Sequence, residues 1–137
     1  MAAPLTLDEG LRILQVCLEK ARALNLNVSI AVVDASGLPV CAARMDQAGA
    51  LTPDIAYGKA FAAAAFKRSG REMGEQWPPG MPMVVAMAVR TGGRFVPQQG
   101  SLLLRDGDAV VGAIGVSGAP SHLDEQVAQA GVDAFRR

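Results

Sequence analysis

Residues 108–122, DAVVGAIGVSGAPSH, are the stretch whose reading decides the fold. The first half is a dense β-branched run in which Val110, Ile114 and Val116 share one parity and Val111 and Ala113 the other, the period of a strand. Gly112 and Gly115 leave that strand locally bare, so a long side chain, a ligand or a second backbone can come close there. Ser117-Gly118 breaks the strand, and Pro120 stands at the first turn of a following helix. A glycine-rich strand feeding a helix N-terminus is a candidate anion or ligand site, although many such junctions are only turns.

The flanks extend this reading in both directions. Upstream, Asp106-Gly107 is the strongest hairpin signal in the chain and predicts a type I′ turn pairing residues 102–105 with 109–113. Downstream, Leu123, Val127, Ala130 and Ala134 lie on one face of a helix ending near residue 134. Asp124 and Glu125 fall in its first turn, where negative charge is favoured whether or not it does chemistry.

At the other end of the chain, Thr6 and Glu9 form a T-x-x-E capping box before an amphipathic helix over residues 7–24. Residues 28–33 and 38–45 read as a hairpin around the turn Asp34-Ala35-Ser36-Gly37, with Asp34 more a turn former than an acid. Thr52-Pro53-Asp54, read as a hydroxyl cap, a proline at the first helical position and an acid in the first turn, opens an alanine-dominated helix containing Lys59. If Lys59 points inward it needs an anionic partner; the plainer reading is a snorkelling surface lysine. Residues 69–76 form a short helix that Trp77-Pro78-Pro79-Gly80 ends abruptly. This WPPGMP segment, with Met81 and Met83, is a candidate lid, pocket wall or dimer contact. Residues 84–89 read as a short strand, and residues 95–99 lead into the strand at 101–105. The order of elements predicts one α+β domain with a mainly antiparallel sheet and helices packed on it.

Composition narrows the function classes. A chain of 137 residues, half of them hydrophobic, supports one ordinary core. Thirteen basic and thirteen acidic residues balance to zero net charge, which argues against nucleic acid as a partner and leaves little repulsion against homo-oligomer formation. There is no secretory pattern at the start and no apolar run of membrane-spanning length, so a cytoplasmic protein without a membrane partner is expected. Cys17 and Cys41 lack metal-ligand spacing and read as buried thiols. The chain has none of the glycine-rich nucleotide loops and no nucleophile elbow. His122 is its one histidine, which excludes sites that need two or three from one chain; it is free to donate a single ligand or move a proton, and the plainer reading is a solvent-facing histidine in a helix's first turn. Asp34 with Asp124 or Glu125 keeps two-carboxylate chemistry open.

Taken together, SIAVVDASGLPVCAARMD, PDIAYGKAFAAAAF and LLLRDGDAVVGAIGVSGAPSHLDEQVAQAG resemble the GlcG/HbpS family, which includes the haem-binding C-terminal domain of PduO-type proteins. The resemblance covers essentially the whole chain. It implies an α/β sandwich with a five-stranded antiparallel sheet flanked by helices, assembled into dimers or larger homo-oligomers. Members are associated with haem binding and degradation, others with catabolic or biosynthetic operons. On this chain the motif residues are Asp34, Arg44, Asp46, Lys59, Gly112, Gly115, Ser117, Gly118, Asp124 and Glu125. Where members carry a glycine-rich run before the last hairpin, this chain has Pro97-Gln98-Gln99-Gly100, placing hydrogen-bonding side chains where a flat macrocycle would approach the backbone, which speaks against haem and for a smaller polar substrate.

Three functions follow as expectations. The leading one is a cofactor-independent enzyme of isomerase, tautomerase, hydratase or lyase type acting on a small organic acid or carbonyl metabolite. Lys59 would orient the acid or stabilise an enolate, Asp124, Glu125 or His122 would move the proton, and Arg44 would clamp a carboxylate. The alternative is a haem or tetrapyrrole binder with Trp77, Met81, Met83 and Phe95 as walls, Arg44 or Lys59 on propionates and His122 or another donor on iron, the metal itself being open. The third is a noncatalytic accessory subunit.

Overall fold

The computed structural model describes residues 2–137. Five helices and four strands follow one another as α1 (Leu7–Ala23), β1 (Ser29–Asp34), β2 (Pro39–Arg44), α2 (Thr52–Phe66), α3 (Gly70–Gln76), α4 (Pro82–Arg90), β3 (Ser101–Asp106), β4 (Ala109–Ser117) and α5 (Ser121–Ala134). The strands form one antiparallel sheet in the order β2-β1-β4-β3. The five-stranded sheet expected from the resemblance is therefore corrected to four strands among the described residues.

The correction has a local and a tertiary cause. Residues 84–89, read as a strand from Val84, Val85 and Val89, lie in α4. Pro82 sits in the first turn, where its fixed φ suits a helix, and Met83, Ala86, Met87 and Ala88 are good helix formers. Among the described residues no sheet edge pairs with this segment, so its β-branched residues gain nothing from being extended. The second hairpin also differs in detail. Asp106 pairs with Ala109, so the turn residues are Gly107 and Asp108, and of these only Gly107 has positive φ (+59°). A type I′ turn requires positive φ at both central positions, so the turn at Asp106-Gly107 is displaced by one residue and changed in kind.

Local chemistry sets the remaining boundaries. The Thr6/Glu9 capping box opens α1, and a second box, Ser69/Glu72, opens α3. The expected Thr52 cap is instead occupied by Leu51, and the Thr52 hydroxyl donates to the Gly49 carbonyl at 2.7 Å. Asp34 accepts the backbone N–H groups of Ser36 and Leu38 at 2.9 and 3.0 Å, so it shapes the hairpin turn.

Two cores sandwich the sheet. On one face α1 and α5 cover Ile30, Val32, Ile114 and Val116, together with Ile13, Cys17 and Val127. On the other, α2 and α3 cover Val33 and Ala113, with an aromatic group formed by Phe66, Trp77 and Phe95. Val111 joins the first core despite its parity with Ala113, because the β3–β4 register shifts between Leu104 and Arg105. Among the described residues no helix is long and apolar enough to cross a membrane.

Candidate functional site

The central glycines are covered by the protein itself. A Cβ on Gly115 would lie 2.0 Å from the Ala56 carbonyl oxygen, and one on Gly112 would lie 2.3 Å from the Val33 carbonyl oxygen. Gly118 packs against Asn27 and Val28, and Ser117 is buried. These positions admit neighbouring backbone rather than a ligand.

Lys59 lies on the α2 face that meets β4. Its ammonium donates to the Val116 carbonyl at 2.9 Å and to Asp124 Oδ2 at 3.2 Å. Asp124 Oδ1 accepts the Ala119 N–H at 3.1 Å. Lys59 is 3% exposed and Asp124 1%, which rules out the snorkelling reading and leaves the pair no face toward solvent. Burial pushes the Asp124 carboxyl up from its ordinary value, against the opposing pull of Lys59 and the Ala119 N–H. The pair ties α2, the end of β4 and the start of α5 together.

The other expected site residues are dispersed. Arg44 is exposed near the sheet edge, donates to the Ala48 carbonyl at 3.1 Å, and lines a cavity of about 350 Å³ with Arg22, Asn27 and Asp46. His122 is exposed and Glu125 half-buried on the first turns of α5. Trp77 and Phe95 are buried in the aromatic group, whereas Met81 is 37% exposed. Cys17 is buried and pushed up to about 12 by its surroundings; Cys41 is half-buried and is also raised by burial. Among the described residues no three histidine, cysteine or acidic side chains gather as metal ligands do.

A cleft of about 330 Å³ beside the aromatic group joins several of these elements. Trp77, Pro79, Val84 and Pro97 give it apolar walls. Gln98, Gln99 and Ser121 supply hydrogen-bonding groups, and His122 is the next residue after Ser121. Trp77 is braced by Phe66 at 4.8 Å between ring centroids in an edge arrangement and by Phe95 at 6.3 Å. The cleft is therefore a rigid aromatic wall with a polar rim. The composition of WPPGMP pointed to a pocket wall, but Gln98, Gln99 and Ser121 had no sequence signal that joined them to it. A larger cavity of about 460 Å³, beside residues 2–5 and the Asp34 turn, is lined among the described residues by one charged side chain, Asp34, and by no histidine, methionine or cysteine.

Comparison with known proteins then decides the family. The family of HbpS-like haem degrading proteins matches residues 5–133. The chain belongs to the HbpS-like family. It is 29% identical over 133 residues to an uncharacterised 15.0 kDa protein from the dhaT-dhaS intergenic region of Citrobacter freundii, covering 97% of this chain and 93% of that one. The crystal structure of a PduOC:haem complex is similar with a TM-score of 0.85 and 25% identity, covering 96% of this HbpS-like chain and 95% of the other. A double mutant of HbpS from Streptomyces reticuli is similar with a TM-score of 0.84 and 30% identity, covering 100% and 90%.

Proposed function

We propose that this HbpS-like protein binds haem or a closely related tetrapyrrole in the Trp77 cleft. The observation that carries the reading is the coincidence, in one cleft, of a braced indole wall, apolar neighbours and the segment bearing the chain's one histidine. Family membership and the haem complex of the similar PduOC structure support it.

The residues fit such a group in kind. Trp77, Pro79, Val84 and Pro97 offer the flat apolar surface on which a macrocycle loses water. Gln98 and Gln99, which the sequence set in the way of a flat macrocycle, line the same cleft as Trp77 together with Ser121, where they would be neutral hydrogen-bond donors for propionates in place of the Arg44 and Lys59 expected from sequence. The exposed His122 imidazole, one residue beyond Ser121, would offer a nitrogen donor to iron, and the thioether of Met81, four residues after Trp77, is also exposed. When bound, haem would supply its iron chemistry, and this chain would exclude water from one macrocycle face.

The acid–base reading has less support, because Lys59 and Asp124 already satisfy each other and neither reaches solvent. Haemin titrated into the apo protein should develop a Soret band that shifts or is lost in His122→Ala and weakens in Trp77→Ala. An unchanged titration in both variants would sink the assignment to this cleft.

A further inference from the structure

We propose that the buried Lys59–Asp124 pair is a positioning device that holds together the two polar parts of the Trp77 cleft, Gln98-Gln99 and Ser121. The ligand named in its test rests on the haem reading above; the positioning role rests on geometry alone.

Two independent connections carry it. Asp124 Oδ1 accepts the Ala119 N–H, fixing the two-residue approach to Ser121, while the Pro120 carbonyl accepts the backbone N–H groups of Leu123 and Asp124. On the other side, Gly100 sits directly against the pair. A Cβ there would lie 2.7 Å from Lys59 Nζ and 3.2 Å from Asp124 Cβ, and Gly100 has a φ of +126°. Val116 completes the junction: its N–H donates to the Gly100 carbonyl at 2.9 Å, and its carbonyl accepts from Lys59 at 2.9 Å. Gln98 and Gln99 precede Gly100, so both polar segments of the cleft are anchored to one ammonium–carboxylate contact.

Net stability is a weak explanation for such a pair. Replacing a buried ion pair with apolar residues of similar volume is often neutral or stabilising, because the replacements carry no charge to desolvate. What apolar replacements lack is direction: a methionine and a leucine would fill the space without fixing Ala119 or seating Gly100.

The test is the double variant Lys59→Met/Asp124→Leu, with Asp124→Asn as the gentler form, each first shown to be folded by circular dichroism. Trp77 is the single tryptophan and reports on the cleft without any ligand. In the apo variant its fluorescence should be quenched by acrylamide about twice as strongly as in the parent, as local opening exposes the indole. In parallel, haemin should bind about tenfold more weakly, the loss expected when a supporting contact behind a ligand group is removed. Parent-like quenching in a folded variant would overturn the proposal, and so would failure of both variants to fold, which would make the pair a requirement of the whole fold. If the parent does not bind haemin, the functional reading fails while the quenching result still decides the positioning role.

Discussion

Replacing Gly115 with alanine tests how closely α2 is bound to the sheet. The new Cβ would lie 2.0 Å from the Ala56 carbonyl oxygen, 2.7 Å from the Ala60 nitrogen and 3.0 Å from the Ala60 Cβ. Favourable carbon contacts lie at roughly 3.5–4.0 Å, so α2 must withdraw by on the order of 1 Å. No rotamer change relieves the clash, because the two nearest atoms are main-chain. Withdrawal also opens gaps along Ala56, Ala60 and Ala63, all fully buried, whose methyl groups cannot extend to refill them. Overpacking costs about 1–3 kcal/mol, and backbone against a new side chain belongs at the upper end, about 3 kcal/mol. With an unfolding entropy of about 2.1 cal/mol/K per residue, 137 residues give about 0.29 kcal/mol/K, and Tm should fall by about 10 °C. Thermal melts followed by circular dichroism measure this directly. Gly49→Ala is the control: its Cβ would meet only Thr52 Cγ2, at an ordinary 3.5 Å, and its cost should stay within about 0.5 kcal/mol. A Tm loss under about 3 °C for Gly115→Ala would refute the close-packing argument.

Other measurements probe separate parts of the molecule. Arg137, followed by the Thr6 contacts, holds the Glu9 carboxyl down at about 2, so the pair's contribution is complete above pH 4.5 and is lost as pH falls through about 2. Melts of parent and Arg137→Ala should therefore differ most above pH 4.5 and converge toward pH 2; a constant gap would contradict this linkage. Ser101 Oγ is buried without a hydrogen-bond partner among the described residues, so Ser101→Ala should raise stability by about 1 kcal/mol in urea unfolding, and a loss of that size would show the hydroxyl to be satisfied. At pH 8 a thiol reagent should label Cys41 slowly in the native protein and reach Cys17 only on unfolding; rapid labelling of both would disprove the burial assigned to them.

Much of the fold was legible because its signals are local. The Thr6/Glu9 box, the β-branched runs at β1 and β4 and the apolar stripes of α1 and α5 each follow from neighbouring side chains. The misread segment at residues 84–89 carries strand-like valines whose conformation is settled by the lack of a pairing edge, which is not a local property. The site was legible in pieces. Trp77 announced a wall, and Lys59 in an alanine-rich helix raised the question of an anionic partner. That Asp124, 65 residues away, closes the pair against Val116 depends on how α2 and α5 meet the end of β4. The joining of Gln98, Gln99 and Ser121 around one cleft likewise depends on tertiary approach.

The unequal anchoring of α4 carries a consequence for variation and engineering. This helix has no fully buried residue, leaves Val85 and Val89 facing outward, and touches the core through Met83, Val84 and Met87. Exchanging the excursion between Trp77 and Phe95 for that of a relative would rewrite one side of the cleft while leaving every strand in register. The α2–β4 seam offers no comparable freedom, since Gly115 there lies against the main chain of Ala56 and Ala60. New ligand preferences can thus arise by replacing a cassette, with the scaffold beneath it carried forward unaltered.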